Sequence, residues 1–334
     1  MIELIARAKP QYKANLHAHS TISDGELTPA AMKELYRSRG YSILSITDHN
    51  TPMPHNDMTE DDFLMLTGYE ADIRTPSEGS SRYQPTAHLC LYARDPENRT
   101  LIWYDEDRFK GENDPRRKWN VTPPRRREYS ASYVNDFVRA AKEHGYLVSH
   151  NHYTWSLEPE AQVLAYEGIF SMEICNGGCW VTGNIEYNAQ LYNKMLRQGM
   201  RIACHGTDDN HNHQSGALSD SFHAWTYVLA DELTYSSVFE ALEKGSFYAS
   251  RGPQIYSLTM EGRTAHIECS EAKVIYAYFG SKDARVKMAE EGKTVTEADF
   301  TIPDDASFVR FAVFDEYQRS ADTRGYFADE LGWS

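Results

Sequence analysis

Two histidines stand two apart near the start of the chain, in NLHAHSTISDGELTP (residues 15–29). On an extended strand, residues i and i+2 point to the same side, about 7 Å apart along the chain. Two imidazoles so placed can lean onto one cation at metal–nitrogen distances of about 2.0–2.1 Å. His17 and His19 therefore raise metal ligation, although the same spacing suits two polar residues on a solvated strand face. The pattern then accumulates. His49 closes an apolar run beside Asp48, Glu70 follows LTGY with a carboxylate able to bridge two cations, and His88 lies in the apolar stretch TAHLCLY. His150 and His152 repeat the two-residue spacing, and Asp209 and His211 add a further carboxylate and imidazole. Buried His and Asp are costly unless paired or metal-bound, so a series of strand ends carrying them is poorly explained as unrelated core histidines.

To share a cation these groups need a scaffold that gathers strand ends. YSILSITDHN (41–50), GYLVSHNH (145–152) and GMRIACHGTDDNH (199–211) are apolar runs closing on polar groups, and each follows a segment with helical spacing, at 28–39, 130–144 and 186–198. Thr28 reads as an N-cap with Pro29 at the first helical position, and Gly40, Gly145 and Gly199 read as C-terminal stops. MLTGYEADI (65–73) and SMEICNGG (171–178) fit the same strand-and-tip pattern. Helix, glycine, buried strand and polar tip form the α/β rhythm of a parallel sheet or barrel, whose functional residues collect at the C-terminal ends of the strands.

Residues 94–129 break that rhythm with a charged, proline-bearing stretch that reads as an inserted loop or lid. Its arginines, Arg116, Arg117 and Arg125 to Arg127, are placed to reach an anionic ligand, and Trp103 and Trp119 to stack a ring; solvation and plain packing are the alternatives. Beyond KGSFYASRGPQ (244–254), alternating apolar and polar residues with turn signals predict antiparallel strands. The expected organisation is a barrel over 1–252 and a small C-terminal antiparallel β domain over 253–334.

The net charge of −15, from 49 acidic and 34 basic residues, argues against stable binding of duplex nucleic acid. A small anionic substrate stays compatible, because a metal site is locally positive inside a negative protein. Five cysteines in no framework spacing, no leader-like opening and no 18-residue apolar run predict a reduced, soluble, cytoplasmic protein without membrane association. Cys175 and Cys179 read as buried thiols rather than half of a zinc site. Oligomeric state is not legible.

Taken in order, these residues resemble the PHP domain, named for polymerase and histidinol phosphatase. Its pattern is an H-x-H opening, a nearby Asp-Gly, a T-D-H, a bridging Glu, two further histidines and a closing D-x-H. Over roughly residues 10–252 the matching positions are His17 and His19, Asp24, His49, Glu70, His88, His150 or His152, Asp209 and His211. Two places depart from the pattern. SHNHYTWS lacks the usual His-Pro, and His152 is preferred over His150 by its distance from the WS that often follows; GTDDNH is one residue longer than the usual form, and its D-x-H spacing selects Asp209 ahead of Asp208. Glu173 reads as a supporting residue rather than a ligand. The resemblance implies a distorted seven-stranded β/α barrel holding two or three divalent ions (zinc, manganese or iron) and hydrolysing a small or nucleotide-like phosphoester through a metal-bridging hydroxide. Glu70, His88 and His211 are then the expected catalytic groups, and Arg251, His205 and His213 the expected substrate contacts. Neither a G-x-S-x-G elbow nor a P-loop is present, consistent with a water nucleophile. Amide, ester or carbamate hydrolysis on the same centre, or a non-catalytic accessory role, are the rival readings.

Overall fold

The computed structural model describes residues 1–75, 81–103, 105, 122–213, 216 and 219–333. The described residues form a mixed α/β structure with three sheets, and the α/β rhythm read from the sequence is present. The expected helices form over Pro29–Arg37, Ala131–Glu143 and Ala189–Arg197. Thr28 caps the first through Oγ1, which accepts the Ala31 N–H, and Ser130 caps the second by accepting from Tyr133. Gly40, Gly145 and Gly199 end these segments at φ of +73°, +82° and +79°, a region where glycine alone avoids a Cβ penalty.

Five strands form the sheet that carries most of the candidate site: Gly68–Ile73, Ala87–Ala93, Tyr146–His150, Ser171–Asn176 and Ala203–Thr207. The first three pair antiparallel and the last three parallel. Tyr12–Asn15, Ile43–Leu44 and Leu64–Met65 run parallel to one another in a second, ten-stranded sheet. Two parallel bridges tie the sheets together at the strand tips, His49 to Glu70 and Ala18 to Asn210. Ile174, Val148, Leu89 and Leu91 pack with Val134, Phe137, Tyr192 and Met195 of the helices to form the main core.

The C-terminal antiparallel strands are present, from Ile255–Glu261 to Tyr326–Phe327. Ile2–Ile5 pairs with Ile255–Glu261, and Ser320–Thr323 pairs with Phe247–Ser250, so backbone ladders cross the position where composition changes. Arg310 is buried there, donating to Asp322 Oδ1 at 2.9 Å and Asn193 Oδ1 at 2.6 Å. Among the described residues no helix is long and apolar enough to cross a membrane.

Several described residues of the insertion are packed against the rest of the fold, although others are exposed. Leu101 and Ile102 are buried in the main core, and Trp103 packs against Tyr133 and Phe137. Arg125 stacks on Trp103 and Tyr133 and pairs with Asp136. Arg127 is buried, pairs with Asp72 Oδ1 at 3.0 Å and also donates to Asn50 Oδ1. Arg125 and Arg127 are thus committed to the fold instead of an anionic ligand. Arg116, Arg117 and Trp119 lie outside the described residues.

Candidate metal centre

The strand tips bring His17, His19, Asp24, His49, Glu70, His88, His152, Asp209 and His211 into one cluster. Glu70 sits at its middle. Its Oε1 lies 3.3 Å from His17 Nε2, 2.9 Å from His88 Nδ1 and 3.3 Å from His152 Nε2, while its Oε2 lies 2.9 Å from His49 Nδ1 and 3.5 Å from His19 Nε2. Asp209 Oδ1 is 3.2 Å from His17 Nε2 and 3.1 Å from His19 Nε2. Asp24 stands at the outer edge, with oxygens 3.6 Å from His19 Nδ1, His49 Nε2 and His211 Nε2.

These spacings match the edges of a coordination shell. Ligand atoms about 2.1 Å from one ion are separated by about 3.0 Å in an octahedron and about 3.4 Å in a tetrahedron. His49 Nδ1 and Glu70 Oε2 are buried and 2.9 Å apart, a contact whose geometry fits a shared ion or an ion pair better than an aligned hydrogen bond. His17 Nε2 and His19 Nε2, 3.1 Å apart, would oppose two lone pairs unless a proton or a cation lay between them. A donor set of imidazole nitrogens and carboxylate oxygens suits borderline to hard divalent ions such as zinc, manganese or iron.

Several residues hold the cluster in place. Asp48 accepts the backbone N–H of Ser20 at 2.8 Å and of Ser23 at 3.2 Å, which folds the loop that presents Asp24. Gly25 is required in that loop because a Cβ there would lie 2.0 Å from the His19 carbonyl oxygen. Glu173 Oε1 receives His17 Nδ1 at 2.7 Å, and its Oε2 accepts the His152 N–H at 2.9 Å. Asn151 donates to Glu70 Oε1 at 2.9 Å, and Asn176 to Asp209 Oδ2 at 3.2 Å. Of these supports Glu173 was legible in the sequence as a supporting residue; Asn151 and Asn176 have no signal in their own neighbourhoods.

The electrostatics follow from this crowding. Burial alone would lower the His17 imidazole, but Asp209, Cys90, Glu70 and Glu173 raise it well above its usual value. Burial opposes the charged form of His49 as well, and the Glu70 carboxylate overrides it, lifting the imidazole to about 9. His152 also reaches about 9, against its own burial, through Glu70 and Asp209. Burial would raise Glu173, and the facing His17 instead holds it at about 2.

Four expected site residues lie elsewhere. His150 ends its strand buried on the side away from the cluster; its Nε2 meets Glu158 Oε1 at 2.7 Å and its ring packs on Tyr166. Simple alternation gave His150 and His152 one side, but the ladder stops at His150 and the chain turns, so only His152 enters the cluster. His205 is wholly buried below the site with Nδ1 on Ser171 Oγ at 2.7 Å, and burial lowers it to about 4. It has no path to a substrate. Arg251 lies over the Trp180 ring, 3.9 Å from its centroid, at the junction with the C-terminal strands rather than in the cleft. Asp208, the second choice for the closing motif, accepts the backbone N–H groups of Phe222, His223 and Ala224 and the Tyr36 hydroxyl. Asp209 takes a φ of +50°, which absorbs the extra residue of GTDDNH and turns its carboxylate into the cluster. His213 does reach the cleft wall, beside His211 at a ring separation of 5.5 Å.

The cleft above the cluster measures about 330 Å³. It is lined by Asp24, His49, His88, His152 and His211 together with Trp155, Cys179, Val181 and Thr182. No family model matches the chain, and no curated protein matches it. Among solved structures it is similar to a two-domain protein from Bacteroides vulgatus containing a predicted PHP-like metal-dependent phosphoesterase. That likeness is 15% identity over 95% of this chain and 96% of the other, with a TM-score of 0.43. It is also similar to an amidohydrolase from Chromobacterium violaceum solved with bound sulfate and no metal, at 16% identity over 59% of this chain and 87% of the other, TM-score 0.37. A third similarity is to a lesion-specific endonuclease from Pyrococcus furiosus, at 11% identity over 70% of this chain and 56% of the other, TM-score 0.42.

Proposed function

We propose that the protein is a metal-dependent hydrolase that releases phosphate from a small or nucleotide-like phosphoester. The observation that carries this reading is the convergence of eight imidazole and carboxylate side chains, each able to ligate a metal, on the buried Glu70. The choice of a phosphoester over an amide or carboxylic ester rests on the motif order that resembles the PHP domain.

In this reading the ions would be held where these ligating atoms lie together: among His17, His19 and Glu70, among His17, His152 and Asp209, among His49, Glu70 and His88, and among His19, Asp24, His49 and His211, the groups sharing residues. Two or three divalent ions, when bound, activate water for attack and offset negative charge on a phosphoryl group. The chain's own residues do the rest. Glu173 fixes the His17 ring so that Nε2 faces the cluster. Ser156 Oγ, 3.1 Å from His152 Nδ1, does the same for His152. His213, beside His211 at the cleft wall, is placed to contact substrate.

The scaffold we propose is a distorted seven-stranded β/α barrel within residues 1–252, with 253–334 as an appended β unit into which Ile2–Ile5 is paired. Support comes from the two bridges, which connect Ile43–Leu44 to Gly68–Ile73 through His49, and Tyr12–Asn15 to Ala203–Thr207 through Asn210.

The test is elemental analysis of gently purified protein, followed by an activity screen of the metal-loaded enzyme. Phosphate release from aryl phosphates, nucleotides or sugar phosphates at rates well above those for aryl esters and amides is the expected result. Preferential ester or amide cleavage moves the same centre to carbon chemistry. Absence of bound metal with no turnover reduces it to an accessory module.

A further inference from the structure

Trp155 stands at the rim of the cleft with 43% of its surface exposed, its ring roughly perpendicular to those of His88 and His152, at 5.3 and 5.0 Å between centroids. Its backbone is held tightly although its indole is not covered. Glu186, fully buried, accepts the N–H of Thr154 at 2.8 Å with one oxygen and of Trp155 at 3.0 Å with the other. Thr154 Oγ1 bonds Asn188 Oδ1 at 2.9 Å, and the Ser156 carbonyl receives the Thr86 N–H at 3.0 Å. Burying a carboxylate is costly, and here its oxygens are spent on fixing the residue that carries an uncovered indole. Cys179, Val181 and Thr182 line the same cleft. A rigid, half-exposed aromatic side chain lining the same cleft as the candidate metal ligands is an arrangement that receives a flat ring while the charged end of the same molecule reaches those ligands' side of the site.

We infer that Trp155 and the Cys179–Thr182 segment form a subsite for an aromatic group on the alcohol side of the ester. This rests on the phosphoester reading and narrows it. The preferred substrates are nucleoside or aryl phosphates, ahead of phosphates of aliphatic alcohols. Ring stacking on an aromatic side chain improves binding by about 10- to 100-fold.

The experiment measures binding of three non-hydrolysable ligands to the metal-loaded protein by calorimetry: phenylphosphonate, the phosphonate analogue of AMP, and propylphosphonate. Wild type, Trp155→Ala and Trp155→Phe are compared, with metal stoichiometry determined for each. The expected result is that Trp155→Ala weakens the ring-bearing ligands by about 10- to 100-fold, Trp155→Phe retains most of their affinity, and propylphosphonate binding and metal content do not change. Stronger binding of the AMP analogue than of phenylphosphonate identifies a nucleobase as the natural ring, and the reverse order an aryl group. Equal weakening of all three ligands, or loss of metal, overturns the subsite and makes Trp155 a brace for His88 and His152. No effect of the substitution, or no phosphonate binding by wild type, also overturns it. The two proposals fail separately. Ring-selective binding without cleavage of any phosphate ester sinks the hydrolase reading alone, and phosphate release without ring dependence sinks the subsite alone.

Discussion

The Glu173 carboxylate lies 2.7 Å from Nδ1 of His17, which leaves the opposite nitrogen of that ring directed at Glu70 and Asp209. A carboxylate behind a ligating imidazole fixes the tautomer and increases its basicity, and loss of such a partner typically costs about 10- to 100-fold in metal affinity. Glu173→Ala is therefore expected to bind metal that much more weakly while keeping its fold. Competition with a chelator of known affinity checks this, and unchanged affinity would mean that the contact does not serve the centre.

Asp24 and Glu70 should differ in what their loss removes. Asp24 gathers only with His19, His49 and His211, whereas Glu70 belongs to two other groups of ligating atoms. Asp24→Ala is expected to lose one equivalent of metal and Glu70→Ala more than one. Elemental analysis after dialysis reads both, and equal losses would refute the separate outer site.

His150 and His152 make a paired control. His152→Ala should lose metal and activity, because its Nε2 faces Glu70 and Asp209. His150→Ala should keep both and lose stability, since it leaves the buried Glu158 with one fewer partner. Metal loss from His150→Ala at full stability would contradict the assignment.

Loading with metal should expel protons. In the metal-free protein His49 and His152 stay protonated up to about 9, while ligation requires neutral imidazole. Folded values above the unfolded value of about 6.5 mean that these groups contribute stability fully below that pH and lose it as the pH climbs towards 9. Metal titrations between these limits should accordingly show calorimetric enthalpies that change with the ionisation heat of the buffer. Enthalpies independent of the buffer at pH 7.5 would rule the protonation out.

The ion pair of Arg127 with Asp72 is buried on both sides and is shared with Asn50, the neighbour of His49. Removing one partner strands a charge away from water, so Arg127→Ala should cost about 3–5 kcal/mol in stability. Denaturant unfolding measures it; a loss under 1 kcal/mol would mean that water replaces the arginine.

Read as a string, the chain already carried the helices, their caps and stops, the strand tips and eight of the nine clustered side chains as first choices, with Asp24 added by its place in the motif order. Such features are local: capping, periodicity and motif spacing are written within a few residues of one another. What the folded chain supplied was the physical reason for the choices between neighbours. Asp209 rather than Asp208 faces the cluster because three backbone amides from residues 222–224 claim Asp208. His152 rather than His150 enters because a ladder ends one residue before alternation would carry on. Arg127 left the list of ligand-seeking arginines because Asp72, 55 positions away, binds it first. Each outcome depends on which distant group reaches a side chain, and that is set by strand pairing and packing rather than by any signal in the adjacent residues.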